Sequence, residues 1–210
     1  MTTGPLVGVF ALQGDVREHE HVLTGLGART RQVRRPADLT GLDGIVLPGG
    51  ESSVMDRLAR IMGLKQPLIE ALDAGLPAYG TCAGMILLAR EVHNPAPGQG
   101  SLGVLDVRVR RNAFGTQVDS FEENLAVPAV SDEPVHAVFI RAPAVLDAGP
   151  DVDVLASVPA TRLAADPAEL GLADDAELPV AVRQGHLLAT SFHPEVTGDF
   201  SFHRDFVKGL

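Results

Sequence analysis

Three short, unbroken apolar runs, each closed by a glycine-containing turn, constrain this chain more than any other feature. Residues 6–12, 44–47 and 77–80 are too short for buried helices and rich in aliphatic side chains, so they read as strands covered on both faces. Amphipathic stretches lie between them. In residues 16–26, Val16, Val22, Leu23 and Leu26 recur at helical spacing among Arg17, Glu18 and Glu20, with Asp15 as candidate cap and Gly27 as stop. Further helices are expected over 52–62, 67–74 and 83–92, and a polar edge strand over 29–34. Alternation with short connections predicts an α/β fold: three layers, with a mostly parallel central sheet flanked by helices. In such sheets, sites form at the carboxyl ends of strands, where Gln13-Gly14, Pro48-Gly49-Gly50-Glu51-Ser52 and Gly80-Thr81-Cys82-Ala83-Gly84 fall.

The second half changes character. A Pro/Gly loop at 93–100 precedes expected strands at 102–110, 135–140 and 152–158, and a hairpin of 180–183 with 186–191 turns at Gln184-Gly185. The acidic stretch 159–177 reads as a surface loop with one short helix, and 199–207 as a closing helix. No linker divides the chain, so one domain over 1–210 is expected. The formal charge of −10, with no Trp and one Tyr, disfavours nucleic acid and anionic membranes as partners. The single cysteine excludes a disulfide framework and a Cys₄ or Cys₂His₂ zinc site. With no basic leader and no apolar run of membrane-spanning length, a cytoplasmic address is expected.

Chemistry concentrates in two places. Gly-Thr-Cys-Ala-Gly between a buried strand and an apolar helix is the cysteine form of a nucleophile elbow, a sharp turn whose crowded flanks require glycine. A lone cysteine is ordinarily a small buried apolar residue; both glycines and the strand-turn-helix context favour a nucleophile at Cys82, with the Ala83 N–H as oxyanion donor. A thiol nucleophile needs a base and the base an orienter. His193 and Glu195, in Ser191-Phe192-His193-Pro194-Glu195, stand two apart, and in extended chain would face one side. Gly49-Gly50 allows close backbone approach and a second oxyanion donor. The remaining histidines carry no metal-ligand spacing; His19 shares a helix face with Val16 and Leu23 and reads as packed. No metal or cofactor motif is present, neither G-x-G-x-x-G nor a P-loop.

The ordered set P-G-G-E-S, G-T-C-A-G and S-F-H-P-E resembles the class I, triad glutamine amidotransferases, whose sheet is flavodoxin-like. The segments Ala11–His19 (A-L-Q-G-D-V-R-E-H), Arg111–Gly115 (R-N-A-F-G), Gln117–Phe121 (Q-V-D-S-F) and Phe139–Pro143 (F-I-R-A-P) resemble more narrowly the family of glutaminase subunits of pyridoxal 5′-phosphate synthase. The resemblance runs from about Leu6 to about Phe206 and implies roles. Cys82 attacks the side-chain amide of L-glutamine, His193 is base and then acid, and Glu195 orients it. Gly50 and Ala83 supply the oxyanion hole, and Gly50, Glu51, Ser52, Arg111, Ile140 and Arg141 match glutamine-contacting positions. It also implies a partner: a (β/α)₈-barrel synthase subunit in a dodecameric core, using the ammonia with ribose 5-phosphate and glyceraldehyde 3-phosphate. Gln13, Gly14 and Gly49 mark the expected activation switch at that interface. The loop 93–100 and the segment 160–177 depart from the family pattern without touching a motif. Two other readings stay open on sequence: a non-catalytic binding or regulatory subunit of the same fold, and a stand-alone cysteine hydrolase.

Overall fold

The computed structural model describes residues 4–210 apart from 117, 119 and 174, so Gln117 and Asp119 of the motif at 117–121 lie outside the described residues. The first half runs β1 (Leu6–Phe10), α1 (Val16–Gly25), β2 (Arg29–Val33), β3 (Gly44–Leu47), α2 (Ser52–Ile61), α3 (Lys65–Asp73), β4 (Ala78–Thr81) and α4 (Ala83–Leu88). The second half runs β5 (Ala89–Val92), β6 (Leu105–Arg110), β7 (Phe121–Leu125), β8 (Val135–Phe139), β9 (Ala144–Ala148), β10 (Asp153–Pro159), β11 (Glu177–Gln184), β12 (Leu187–Thr190), α5 (Pro194–Thr197) and α6 (Ser201–Lys208).

Seven strands form the central sheet in the order β10-β11-β12-β4-β3-β1-β2. The run from β12 through β4, β3 and β1 to β2 is parallel, and β10 and β11 add an antiparallel edge. Both faces are buried. Along β3, Ile45 and Leu47 point into one core and Val46 into the other; along β12, Leu187 and Ala189 oppose Leu188. One core takes Leu23 of α1 with Phe202 and Phe206 of α6, and the other takes Met55 of α2, Leu68 of α3 and most of α4. The α/β architecture with a mostly parallel sheet between helical layers is therefore as expected. No helix among the described residues is long and apolar enough to cross a membrane.

Several elements differ from the sequence expectation. The helix begun at Ala83 stops at Leu88, and Ala89–Val92 instead pairs parallel with β6, because ladder hydrogen bonds there outweigh helical pattern. β7, with sequence FEENL, is paired antiparallel to β8 although it carries no apolar run. Asp15 makes no side-chain cap to α1, and α2 is capped by Glu51, whose side chain accepts from the Ser53 N–H. The stretch 159–177 holds two short 3₁₀ turns, Ala160–Arg162 and Pro167–Leu170, rather than one helix. It is also fastened to the body, with Ala160 fully buried and the Ala164 N–H donating to the Ala113 carbonyl at 3.0 Å. The loop 93–100 is fixed to α2 through Gln99 to Ser52 Oγ (3.0 Å) and the Gly100 N–H to Asp56 (3.0 Å).

Two glycines let α4 fold tightly against the sheet. A Cβ on Gly84 would lie 2.0 Å from the Leu47 carbonyl oxygen, and one on Gly80 would lie 2.7 Å from the Gly84 carbonyl carbon. Neither neighbour is a flexible side chain. Gly84→Ala is expected to destabilise the fold by about 3 kcal/mol, lowering the melting temperature on the order of 10 °C. Gly25→Ala is the control: its Cβ meets no atom within 4 Å among the described residues. Gly25→Ala should leave stability unchanged or raise it by about 0.4–1 kcal/mol, with the melting temperature unchanged or slightly higher. Thermal unfolding of the two variants checks both.

Candidate active site

β12, β4, β3 and β1 are neighbours and parallel, so their carboxyl ends open side by side. From β1 comes Gln13–Asp15, from β3 Pro48–Ser52, from β4 Cys82, and from β12 the stretch Ser191–Glu195. The ladder between β4 and β12 extends past Thr81 and Thr190, since the Cys82 N–H donates to the Thr190 carbonyl at 2.8 Å. Cys82 and His193, far apart in sequence, thereby line one cavity of about 330 Å³. A second cavity of about 370 Å³, beside Pro77, His186 and the 205–210 end, opens at the amino ends of β4 and β12.

Cys82 sits at φ 46°, ψ −100°, a strained conformation for a non-glycine residue, between β4 and α4. Its side chain lines the same cavity as the His193 imidazole. That ring bonds through Nδ1 to Glu195 Oε1 at 2.7 Å. Burial opposes a charge on His193, but Cys82 and Glu195 outweigh it and raise its pKa to about 11, so the ring holds its proton at neutral pH. Glu195 is buried, which alone would raise its pKa; His193 and His19 hold it below the ordinary carboxylate value. The expected extended geometry for His193-Pro194-Glu195 is not what brings the pair together. His193 is the residue before α5, its N–H bonded to the Val138 carbonyl at 3.2 Å, and Glu195 stands in the first turn behind Pro194. Proline at the first helical position starts that turn, and the turn folds the carboxylate back on to the ring.

Gln13, Gly50, Glu51, Ser52, Arg111, Ile140 and Arg141 line the same cavity. Gly14, Gly49, Ala83 and Glu195 stand behind that lining. Gly49 lies beneath the His193 ring, where a Cβ would come 2.4 Å from Cε1. Arg111 is paired with Glu51 at 2.9 Å, and Glu51 also accepts from Ser53 Oγ at 3.0 Å. Gln13 Oε1 accepts from the Glu51 N–H at 2.7 Å, and the Gly49 carbonyl accepts from the Asp15 N–H at 3.1 Å.

Sequence reasoning passed over several residues here. Asn112 lines the cavity with φ 47°, as does Arg141 with φ 47°; with Cys82 these are the positive-φ residues other than glycine among the described residues. Asp15 reaches the cavity too, its Oδ2 3.8 Å from His193 Nδ1, and burial followed by the Glu195 charge raises its pKa. Asp15, His193 and Glu195 place possible metal-ligand atoms within 4.8 Å of one another, but the imidazole and Glu195 are already bonded to each other. The packed reading of His19 holds, since it is fully buried, yet it pairs with equally buried His203 at 2.9 Å. Only a spatial neighbour reveals that pairing, because the two lie 184 positions apart.

Comparison with known proteins decides the family. The profile of the SNO glutamine amidotransferase family matches residues 9–210. This chain belongs to that family. It is 59% identical over 204 residues to pyridoxal 5′-phosphate synthase subunit PdxT of Clavibacter michiganensis subsp. michiganensis, covering 97% of this chain and 90% of the relative. It is 56% identical over 205 residues to the subunit of the same name from Frankia alni, covering 98% and 94%. A solved glutamine amidotransferase structure superposes with a TM-score of 0.82 at 45% identity, covering 97% of this chain and 99% of that one. That superposition takes in nearly the whole chain, so the fold is that of a glutamine amidotransferase.

Burial also fixes how this site responds to acid. Desolvation lowers the pKa of His19 and takes that of His203 down to about 3. Both folded values lie below the unfolded value near about 6.5, so below that pH the unfolded chain binds protons that the folded chain refuses. Stability should therefore fall as pH drops from about 6.5 toward 4, with each histidine contributing up to about 1.4 kcal/mol per pH unit. Urea unfolding across that range checks it, and His203→Phe should flatten the acid limb.

Proposed function

We propose that the chain is the glutaminase subunit of a pyridoxal 5′-phosphate synthase, hydrolysing L-glutamine to L-glutamate and ammonia and passing the ammonia to a synthase subunit. The observation that carries this reading is the arrangement at the strand ends: a cysteine on a strained elbow, an imidazole lining the same cavity, and a buried carboxylate 2.7 Å from Nδ1 of that ring. The names of the relatives support the assembly.

The chemistry follows from that geometry. Because Nδ1 is taken by Glu195, Nε2 is the nitrogen that serves Cys82. His193 already holds the proton given up by Cys82, and the sulfur forms a bond to the amide carbon of glutamine. The carbonyl electron pair moves on to oxygen and is stabilised by the Gly50 and Ala83 N–H groups. The imidazolium returns its proton to the nitrogen as the C–N bond breaks, releasing ammonia and leaving a thioester. Water, deprotonated by His193, attacks that thioester; the C–S bond breaks, glutamate leaves and the starting Cys82–His193 pair is restored with the proton on the ring. The Glu51–Arg111 pair suits a zwitterionic amino acid, with the guanidinium fork taking the α-carboxylate and Glu51 the ammonium. Ser52, Ile140 and Arg141 complete the glutamine pocket.

The free chain holds the oxyanion strand through two ties, Gln13 to the Glu51 N–H and the Gly49 carbonyl to the Asp15 N–H. Docking of the synthase subunit, a (β/α)₈ barrel in a dodecameric core, acts on Gln13-Gly14 and turns the Gly49–Gly50 peptide so that its N–H faces the oxyanion. Each tie contributes about 1 kcal/mol net, within reach of a docking interface. Free and docked crystal forms with the same peptide orientation would rule this switch out.

Ammonia release from glutamine, with and without the synthase subunit, tests the reading. Cys82→Ala should abolish turnover while leaving glutamine bound, and His193→Ala should be comparably severe. Glu195→Gln should be milder; a loss as complete as that of Cys82→Ala would count against an orienting role. Arg111→Met should raise KM by about tenfold or more, the cost of a lost charged hydrogen bond, with a smaller effect on kcat. Silence of the wild-type chain under every condition would favour a non-catalytic subunit, and hydrolysis of esters but not glutamine a stand-alone hydrolase.

A further inference from the structure

Behind Glu195 lies a buried row of side chains that the hydrolysis scheme does not use. Glu195 Oε1 is bonded to His193, but Oε2 is buried and has no hydrogen-bond partner among the described residues. His19 Nε2 lies 3.8 Å from Oε2. The same Nε2 lies 3.2 Å from Oγ1 of Thr81, the residue before Cys82. His19 Nδ1 in turn lies 2.9 Å from His203 Nε2, and His203 Nδ1 has no partner among the described residues. Both rings are fully buried, and Tyr79 packs edge-on against His203 with centroids 5.3 Å apart.

These contacts admit one tautomer arrangement that avoids repulsion. A bare nitrogen lone pair facing a carboxylate is unfavourable, so His19 carries its hydrogen on Nε2 and donates it to Thr81 Oγ1, beside Glu195. His19 Nδ1 is then an acceptor, which requires His203 to carry its hydrogen on Nε2 and donate it. The atom left unpaired is the His203 Nδ1 lone pair. The charged groups facing the row are Glu195, His193 and Glu18 around His19, and Glu195 around His203. Burial outweighs them and keeps both rings neutral. Two aligned ring dipoles therefore point their positive end at a buried carboxylate.

We propose that His19, held in its Nε2–H form by His203, is a positioning residue that keeps Glu195 ionised and turned toward His193, and that ties α1 to the cysteine elbow through Thr81. This rests on the glutaminase reading for its effect on turnover, but not for its effect on the Cys82–His193 pair. Without the His19 N–H, Oε2 loses the polar group 3.8 Å from it, burial disfavours the negative charge of Glu195, and the imidazolium beside Cys82 loses support.

The test uses the full chain docked on its synthase subunit, with His19→Leu, His19→Gln and His203→Leu, each confirmed folded by thermal unfolding. Two readouts are taken: kcat and KM for glutamine, and the pH profile of iodoacetamide alkylation. The chain has one cysteine, so alkylation reports on Cys82 alone. His19→Leu should lower kcat roughly tenfold, the size of losing one favourably aimed dipole beside a buried charge, with KM within about twofold of wild type. Its alkylation midpoint should move to higher pH. His19→Gln, which returns an N–H donor, should recover most of both effects. His203→Leu should shift the midpoint in the same direction by less, because His19 is then free to change tautomer. A folded His19→Leu with the wild-type kcat and alkylation profile overturns the proposal, as does a folded His19→Gln that recovers neither. Should His19→Leu not fold, a wild-type alkylation profile in His203→Leu overturns it and a shifted one supports it. If the wild-type chain releases no ammonia, the alkylation profiles still decide, and the glutaminase reading fails separately.

Discussion

The close approach of Gly84 to the Leu47 carbonyl is the contact on which the arrangement of this site depends. With no room for a Cβ there, α4 lies directly over the end of β3, and the chain must reverse within one residue after β4. That residue is Cys82, at a φ of 46°. Its N–H still completes the ladder to β12, so the sulfur-bearing residue is clamped by sheet hydrogen bonding on one side and by helix packing on the other. A side chain held this way has little freedom to swing out of reach of His193, which β12 delivers from the neighbouring strand.

Backbone strain gathers around the same cavity. Cys82, Asn112 and Arg141 come from three separate segments, and each adopts a positive φ that ordinary residues avoid. Each such residue costs on the order of 1–3 kcal/mol, so the surroundings must hold them in place. They are held by the sheet ladder at Cys82, by the Asn94 side-chain Oδ1 accepting from the Arg111 N–H at 2.7 Å, and by the Ala113 N–H donating to the Ala142 carbonyl at 2.9 Å. The acidic stretch 159–177 contributes as well, through Ala164 on Ala113. A segment that looks like surface loop thus supports the wall of the pocket that carries Arg111.

Much of this was legible before any coordinates. The short apolar runs identified β1, β3 and β4, because strands buried on both faces have no need to alternate. The two glycines around Cys82 marked the elbow, because steric crowding there leaves no other residue. What the pattern missed has physical causes. β5, Ala89-Arg90-Glu91-Val92, follows the apolar run of α4 with no glycine or proline between them, so it reads as the end of that helix until β6 offers a partner. β7 carries FEENL, which is held by pairing with β8, by Phe121 packing on Phe139 with centroids 4.5 Å apart, and by Arg162 over Phe121 and against Glu123. His193-Pro194-Glu195 was read as extended chain, yet the carboxylate reaches the ring from a helical turn, since proline is as favourable at a helix start as in a strand.

The amino-acid sequence by itself determined the alternation of strands and helices, the strand-end loops and the residue types that meet there, because hydrophobic period and glycine placement are local properties of the chain. Tertiary structure alone decided which of those loops are neighbours. It also decided that His19 and His203 share a hydrogen bond behind Glu195, and that Asn112 and Arg141 are strained into the cavity wall. Those outcomes depend on the order of strands in the sheet and on burial, and both arise from contacts between residues that no local pattern connects.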